Sequence, residues 1–230
     1  MYPFRPRLRR PLAALAALVS VTLAACSDST APTFRSGYIT AATDAAAPAI
    51  LDGTTIDFKL LYPKLTTQIP SLSMKGDTTL QKFTVNPPDG KLIKFGKTSG
   101  HVIAIPGNTL CDPTRNAYGP TEWLKPCILA KSSISFVVKT WTDAQGRPHA
   151  DFEPNIRFNP SGDAVKIFFQ DLTLANFSNV YIPFCDAANV CLDESLTDSA
   201  LVTYASPNSA GGYWVHRRLR HFSGYNVTAF

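Results

Sequence analysis

From Thr79 onward the chain is cut into short pieces by turn-forming clusters, and this limits its fold more than any other feature. Pro87-Pro88-Asp89-Gly90, Lys97-Thr98-Ser99-Gly100, Pro106-Gly107-Asn108, Asp143-Ala144-Gln145-Gly146 and Pro160-Ser161-Gly162-Asp163 each supply residues suited to a tight reversal. Between them lie Leu80–Val85, Lys91–Phe95, His101–Ile105, Ser133–Thr142, Pro148–Glu153, Ile156–Phe158 and Ala164–Phe169, followed by Val180–Phe184, Leu201–Tyr204 and Tyr213–Val227. These runs are short and rich in β-branched and aromatic residues, with SISFVVKTWT the strongest. No stretch of ten residues or more carries a 3.6-residue apolar period. Short strands at regular spacing predict an all-β protein, an antiparallel β-sandwich, over 79–230. Residues 51–78 do not fit the pattern firmly. Phe58, Leu60, Leu61 and Tyr62 suggest an extra strand, limited by Pro63 and Pro70.

Charge excludes a nucleic-acid role. The formal balance of +5 draws on Arg5, Arg7, Arg9 and Arg10, and no acid precedes Asp28. Without the first 25 residues the balance is 18 basic against 17 acidic residues, or +1. The four arginines precede Leu12–Ala25, an apolar run interrupted only by Ser20 and Thr22 and too short to span a bilayer. It ends in Leu23-Ala24-Ala25-Cys26, which resembles the lipobox of bacterial lipoproteins. The resemblance implies a signal peptide over 1–25, cleavage before Cys26 and acylation of Cys26, which would anchor the protein to a membrane. The following stretch, to about residue 50, is rich in Ser, Thr, Ala and Pro and reads as a flexible tether. Ser27 after the acylated cysteine favours the outer membrane in a host with two membranes, again by family analogy.

With Cys26 lipidated, Cys111, Cys127, Cys185 and Cys191 remain, an even number in an extracytoplasmic compartment. Sequential pairing closes the two shortest loops. Chain-entropy arguments give it about 3 kcal/mol for Cys111–Cys127 and about 2 kcal/mol for Cys185–Cys191. Neither spacing is the C-x-x-C of a zinc site, and no metal or other cofactor is implied.

Ser99-Gly100-His101-Val102-Ile103-Ala104-Ile105-Pro106-Gly107-Asn108 resembles the SGV-x-L-x-IPPGAL stretch of the ZU-five domain, found in netrin receptors, ankyrins and tight-junction proteins. Phe152–Pro160 and Ala164–Phe169 resemble the family's SP-x-(apolar)-x-F-x-P stretch and the strand after it, and His221-Phe222-Ser223 a short motif of the last strand in some members. The likeness covers about Phe83 to Val227, and the Cys111–Cys127 insert departs from it. It implies a ZU-five-like sandwich serving as an interaction module without a cofactor.

The sequence carries no G-x-S-x-G, H-E-x-x-H, P-loop or S-x-x-K motif. His149, Asp151 and Glu153 share a strand face, but the outer two would stand about 13 Å apart, too far for one ion. A solvent-facing row is the expectation. His101 reads as a structural histidine. Trp214, His216, Arg218 and Arg220 alternate along YWVHRRLR as a charged edge strand would.

The reading these features support is an exported, lipid-anchored cell-envelope protein with a non-enzymatic sandwich, structural or binding another envelope protein. One alternative is a carbohydrate-binding module that grips a glycan through Tyr118, Trp123 and Trp214. The other is a self-cleaving domain. In ZU-five relatives among death-domain proteins and inflammasome sensors, a His-Phe-Ser stretch cuts itself. Here that resemblance implies attack of Ser223 on the Phe222 carbonyl with a histidine as base. On a regular strand His221 and Ser223 would stand about 7 Å apart. The chemistry therefore requires a kink, for which Gly224 is the candidate, a water, or a second histidine such as His101.

Overall fold

The computed structural model describes residues 56–229 apart from 175–179, 187, 189 and 209. The expected signal peptide, Cys26 and the expected tether lie outside the described residues. One helical turn, Phe58–Leu61 (α1), precedes fifteen strands: Thr67–Gln68 (β1), Leu72–Lys75 (β2), Thr78–Val85 (β3), Lys91–Phe95 (β4), His101–Ile105 (β5), Ile134–Thr142 (β6), Pro148–Glu153 (β7), Val165–Asp171 (β8), Val180–Tyr181 (β9), Phe184–Cys185 (β10), Cys191–Leu192 (β11), Tyr204–Pro207 (β12), Tyr213–Leu219 (β13), Gly224–Asn226 (β14) and Thr228–Ala229 (β15). Six form one sheet in the order β1-β4-β5-β8-β13-β12, and seven form a second in the order β11-β10-β14-β7-β6-β3-β2. Only β1–β4 is parallel among these pairs. The protein is the all-β sandwich that the spacing of turns predicts.

The side-chain patterns explain the layering. In β3 and β6, Phe83, Val85, Phe136 and Val138 point inward and alternate with more exposed neighbours, the signature of a sheet with one wet face. They meet Ile93, Phe95, Ile103, Ile105, Ile167, Phe169 and Val215 from the first sheet. The first sheet is buried on its outer face too. There Leu92, Val102, Ala104, Phe168 and Trp214 pack under Ile56, Phe58, Leu61 and Tyr62. The 56–65 segment is thus a cover for the outer face. Phe58–Leu61 is helical rather than extended because Asp57 caps it, accepting from the Lys59 and Leu60 amides at 2.9 and 3.2 Å.

Both disulfides form in the sequential pairing, Cys111–Cys127 and Cys185–Cys191. The basic stretch in β13 is not an edge. It lies between β8 and β12, with Trp214 and His216 buried. The strand expected over Tyr213–Val227 is two strands in different sheets. The chain leaves the first sheet after Leu219 and enters the second at Gly224, and residues 220–223 make the crossing.

Candidate functional site

The crossing holds the His-Phe-Ser stretch. Its backbone runs beside 152–158, with Phe158 N donating to Arg220 O (2.7 Å), Phe222 N to Ile156 O (2.7 Å) and Phe152 N to Ser223 O (3.3 Å). The Phe222 ring is fully buried, stacked on Phe152 with ring centres 4.5 Å apart and met edge-on by Phe136 and Phe158. Strong apolar anchoring on one side and a sheet on the other fix the Phe222–Ser223 peptide in place.

Leaving the strand at this point removes the 7 Å spacing that a regular strand would impose. Ser223 Oγ lies 3.1 Å from His221 Nδ1. The bend falls at Ser223 itself. Gly224 instead permits close packing of β14 on β10, since a Cβ there would stand 2.8 Å from the Cys185 carbonyl oxygen and a side chain would separate the two strands. His101 takes no part in this cluster. Its Nδ1 accepts the Gln170 amide at 3.1 Å, its ring packs against Phe95 and Phe169, and burial pushes its pKa down to about 4.

Glu194, from the 3-10 turn Glu194–Leu196, supplies what the sequence pattern did not reveal. Its Oε1 lies 2.9 Å from His221 Nε2, and its Oε2 accepts from Arg217, a guanidinium with no exposed surface. Burial raises the Glu194 pKa, but the His221 hydrogen bond and the Arg217 charge outweigh it and hold the carboxyl below its ordinary value. A carboxylate at Nε2 places the neutral ring's proton there and leaves Nδ1 with a lone pair. Three hydroxyls surround Nδ1: Tyr118 at 3.0 Å, Ser223 at 3.1 Å and Tyr225 at 3.3 Å. Tyr118 donates its proton to Phe222 O (2.9 Å), and Tyr225 donates to His221 O (2.7 Å). Only the Ser223 proton remains for Nδ1.

The Cys111–Cys127 loop closes the site. Trp123 lies flat on the His221 ring, 3.8 Å between centres, and Phe184 meets the same ring edge-on at 4.9 Å. Burial pushes the Tyr118 hydroxyl up to a pKa of about 12, so it stays a neutral donor. Buried Arg157 holds the loop's return, donating to the carbonyls of Glu122, Lys125 (2.7 Å) and Pro126 (3.2 Å).

Of the three aromatics considered for glycan binding, Tyr118 and Trp123 thus meet at His221, while Trp214 packs against Phe58 under the 56–65 cover. His149 stacks on Trp141 and approaches Asp143, whereas Asp151 and Glu153 face Lys139. Among the described residues no group of three or more His, Cys, Asp or Glu is arranged to hold a metal ion.

The arrangement places a nucleophile, a base with an orienting carboxylate, and a donor to a carbonyl oxygen around one peptide bond of the chain itself. Comparison with protein families, characterised proteins and solved structures finds no match to this chain.

Proposed function

We propose that this chain is an exported, lipid-anchored envelope protein whose β-sandwich cuts its own backbone once, between Phe222 and Ser223. The cut sandwich then serves as a structural or binding module. The observation that carries the proposal is the convergence of Ser223 Oγ, His221 Nδ1 and Tyr118 OH on the Phe222–Ser223 peptide, with Glu194 behind the histidine. The ZU-five-like motifs support the same reading. The LAAC motif supports the anchor, and the two disulfides suit an oxidising compartment. Among the described residues no helix is long and apolar enough to cross a membrane.

The steps balance without a further reagent except water. His221 Nδ1 takes the Ser223 hydroxyl proton as Oγ attacks the Phe222 carbonyl carbon. Tyr118 donates to the oxygen on which negative charge develops, and Glu194 stabilises the imidazolium. Collapse of the tetrahedral centre breaks the C–N bond, and His221 returns the proton to the departing Ser223 nitrogen. The product is an ester between Phe222 and Ser223 Oγ with a free Ser223 amine. Water then hydrolyses the ester, leaving a Phe222 carboxylate and the Ser223 hydroxyl. Because the chain's own peptide fills the site, the reaction occurs once per molecule.

Denaturing mass spectrometry of the full chain recovered from the membrane tests this. Two species, ending at Phe222 and beginning at Ser223, are expected, and Ser223→Ala should give only the intact chain. A folded wild-type chain that stays intact on prolonged incubation would overturn the proposal and leave the cluster as a satisfied buried polar network within a structural sandwich.

A further inference from the structure

The two side chains that complete the site from outside the crossing, Tyr118 and Trp123, sit on one loop, which the Cys111–Cys127 bond closes. Between its cysteines no residue is buried: Asp112 to Pro126 are all exposed or half-buried, and Cys111 is fully buried. The loop has no apolar core of its own. Its other ties are hydrogen bonds from Arg157 to the Glu122, Lys125 and Pro126 carbonyls, those of Asn116 with Asp112 and Ile128, the backbone pairing of Asp112 N with Ile128 O (2.8 Å) and of Cys111 with Leu129 at the loop base, and the contacts of Tyr118 and Trp123 with the crossing. The Cys111–Cys127 bond is the covalent closure that returns the loop to the sandwich beside His221.

We infer that self-cleavage is licensed by oxidation of Cys111 and Cys127, because closing their loop seats Tyr118 on the Phe222 carbonyl and Trp123 on the His221 ring. The inference rests on the self-cleavage reading above and adds its regulation. A small-molecule or protein disulfide supplies the oxidant. By thiol–disulfide exchange the two thiols become one disulfide, and the oxidant's sulfurs leave as two thiols carrying the two electrons and two protons. In a reducing cytoplasm the loop is open, the carbonyl lacks its donor and the chain stays whole. After export the loop closes and the cut follows. The second disulfide, Cys185–Cys191, braces β10 and β11 at the sheet edge and does not carry the gate.

The test refolds the full chain in detergent either with oxidised and reduced glutathione or with excess dithiothreitol, and follows the Ser223–Phe230 peptide by denaturing mass spectrometry. Near-ultraviolet circular dichroism reports folding alongside. The oxidised chain should cut, and the reduced chain should cut about a hundredfold more slowly, the loss typical of removing one donor from a developing oxyanion. Cys111→Ala/Cys127→Ala should be slow in both buffers, and Cys185→Ala/Cys191→Ala should keep the redox dependence. Should reduction unfold the chain, oxidised Tyr118→Phe and Trp123→Ala, which retain both disulfides, decide. Slow cutting by both folded variants supports the gate. Wild-type rates in either, or equal rates for folded reduced and oxidised wild type, overturn it while leaving self-cleavage in place. Absence of cutting in the folded oxidised wild type instead overturns the self-cleavage reading itself.

Discussion

Replacing Glu194 with Gln tests the site at its least visible member. The side chain keeps its shape but loses its charge, and its amide cannot satisfy both neighbours. If the amide oxygen faces His221 Nε2, the NH2 faces the donors of buried Arg217. If the oxygen faces Arg217, the NH2 faces Nε2, so the ring proton must move to Nδ1. In that tautomer Nδ1 cannot receive the Ser223 proton. Self-cleavage should fall by about 10³- to 10⁴-fold, the loss seen when an orienting carboxylate becomes an amide and the histidine tautomer is wrong. Leaving the Arg217 charge buried without its partner should also cost about 3 kcal/mol. For a domain of this size that lowers the melting temperature by roughly 6 to 12 °C. A time course by denaturing mass spectrometry gives the rate, and thermal melting by circular dichroism gives the stability. A folded Glu194→Gln protein that cuts as fast as wild type would refute the orienting role of the carboxylate.

Cys26→Ala should abolish lipidation, seen as loss of partition into the detergent phase and loss of the acyl mass. After cutting, Ser223–Phe230 should stay with the body under native conditions, since β14 lies between β7 and β10 with Tyr225 and Val227 buried; size exclusion before and after denaturant checks this. His101 has a folded pKa of about 4, below its ordinary 6.5, so the unfolded chain binds a proton that the folded chain refuses. Its contribution is intact above about pH 6.5 and is lost as pH falls towards 4, by roughly 3 kcal/mol in all. Urea titrations across that window should show the loss, and His101→Gln should flatten it; an unchanged slope would refute the assignment. Phe222→Ala should destabilise by about 3 to 5 kcal/mol through loss of the contacts with Phe152, Phe136 and Phe158, read as a lower urea midpoint.

Local chemistry along the chain determined much of the architecture. Turn clusters of Pro, Gly, Asn and Asp set the strand lengths, and alternation in β3 and β6 set which face is wet. The cysteine pairing followed from loop length, because short loops close at low entropic cost. Long-range packing decided the rest. Phe58–Leu61 has a strand-like composition, yet an N-cap and a vacant apolar face on the first sheet make it a helical cover. YWVHRRLR looks like an exposed edge until β12 pairs with it, since a sequence does not show which neighbour a strand will gain. The 7 Å separation of His221 and Ser223 holds only on a regular strand, and the passage between sheets reduces the Nδ1–Oγ distance to 3.1 Å. Glu194 and Arg217 carry no motif. Glu194 becomes the partner of both Arg217 and His221 only because residues 23 and 27 apart in the chain are brought together inside the sandwich, where an unpaired charge would be too costly to keep.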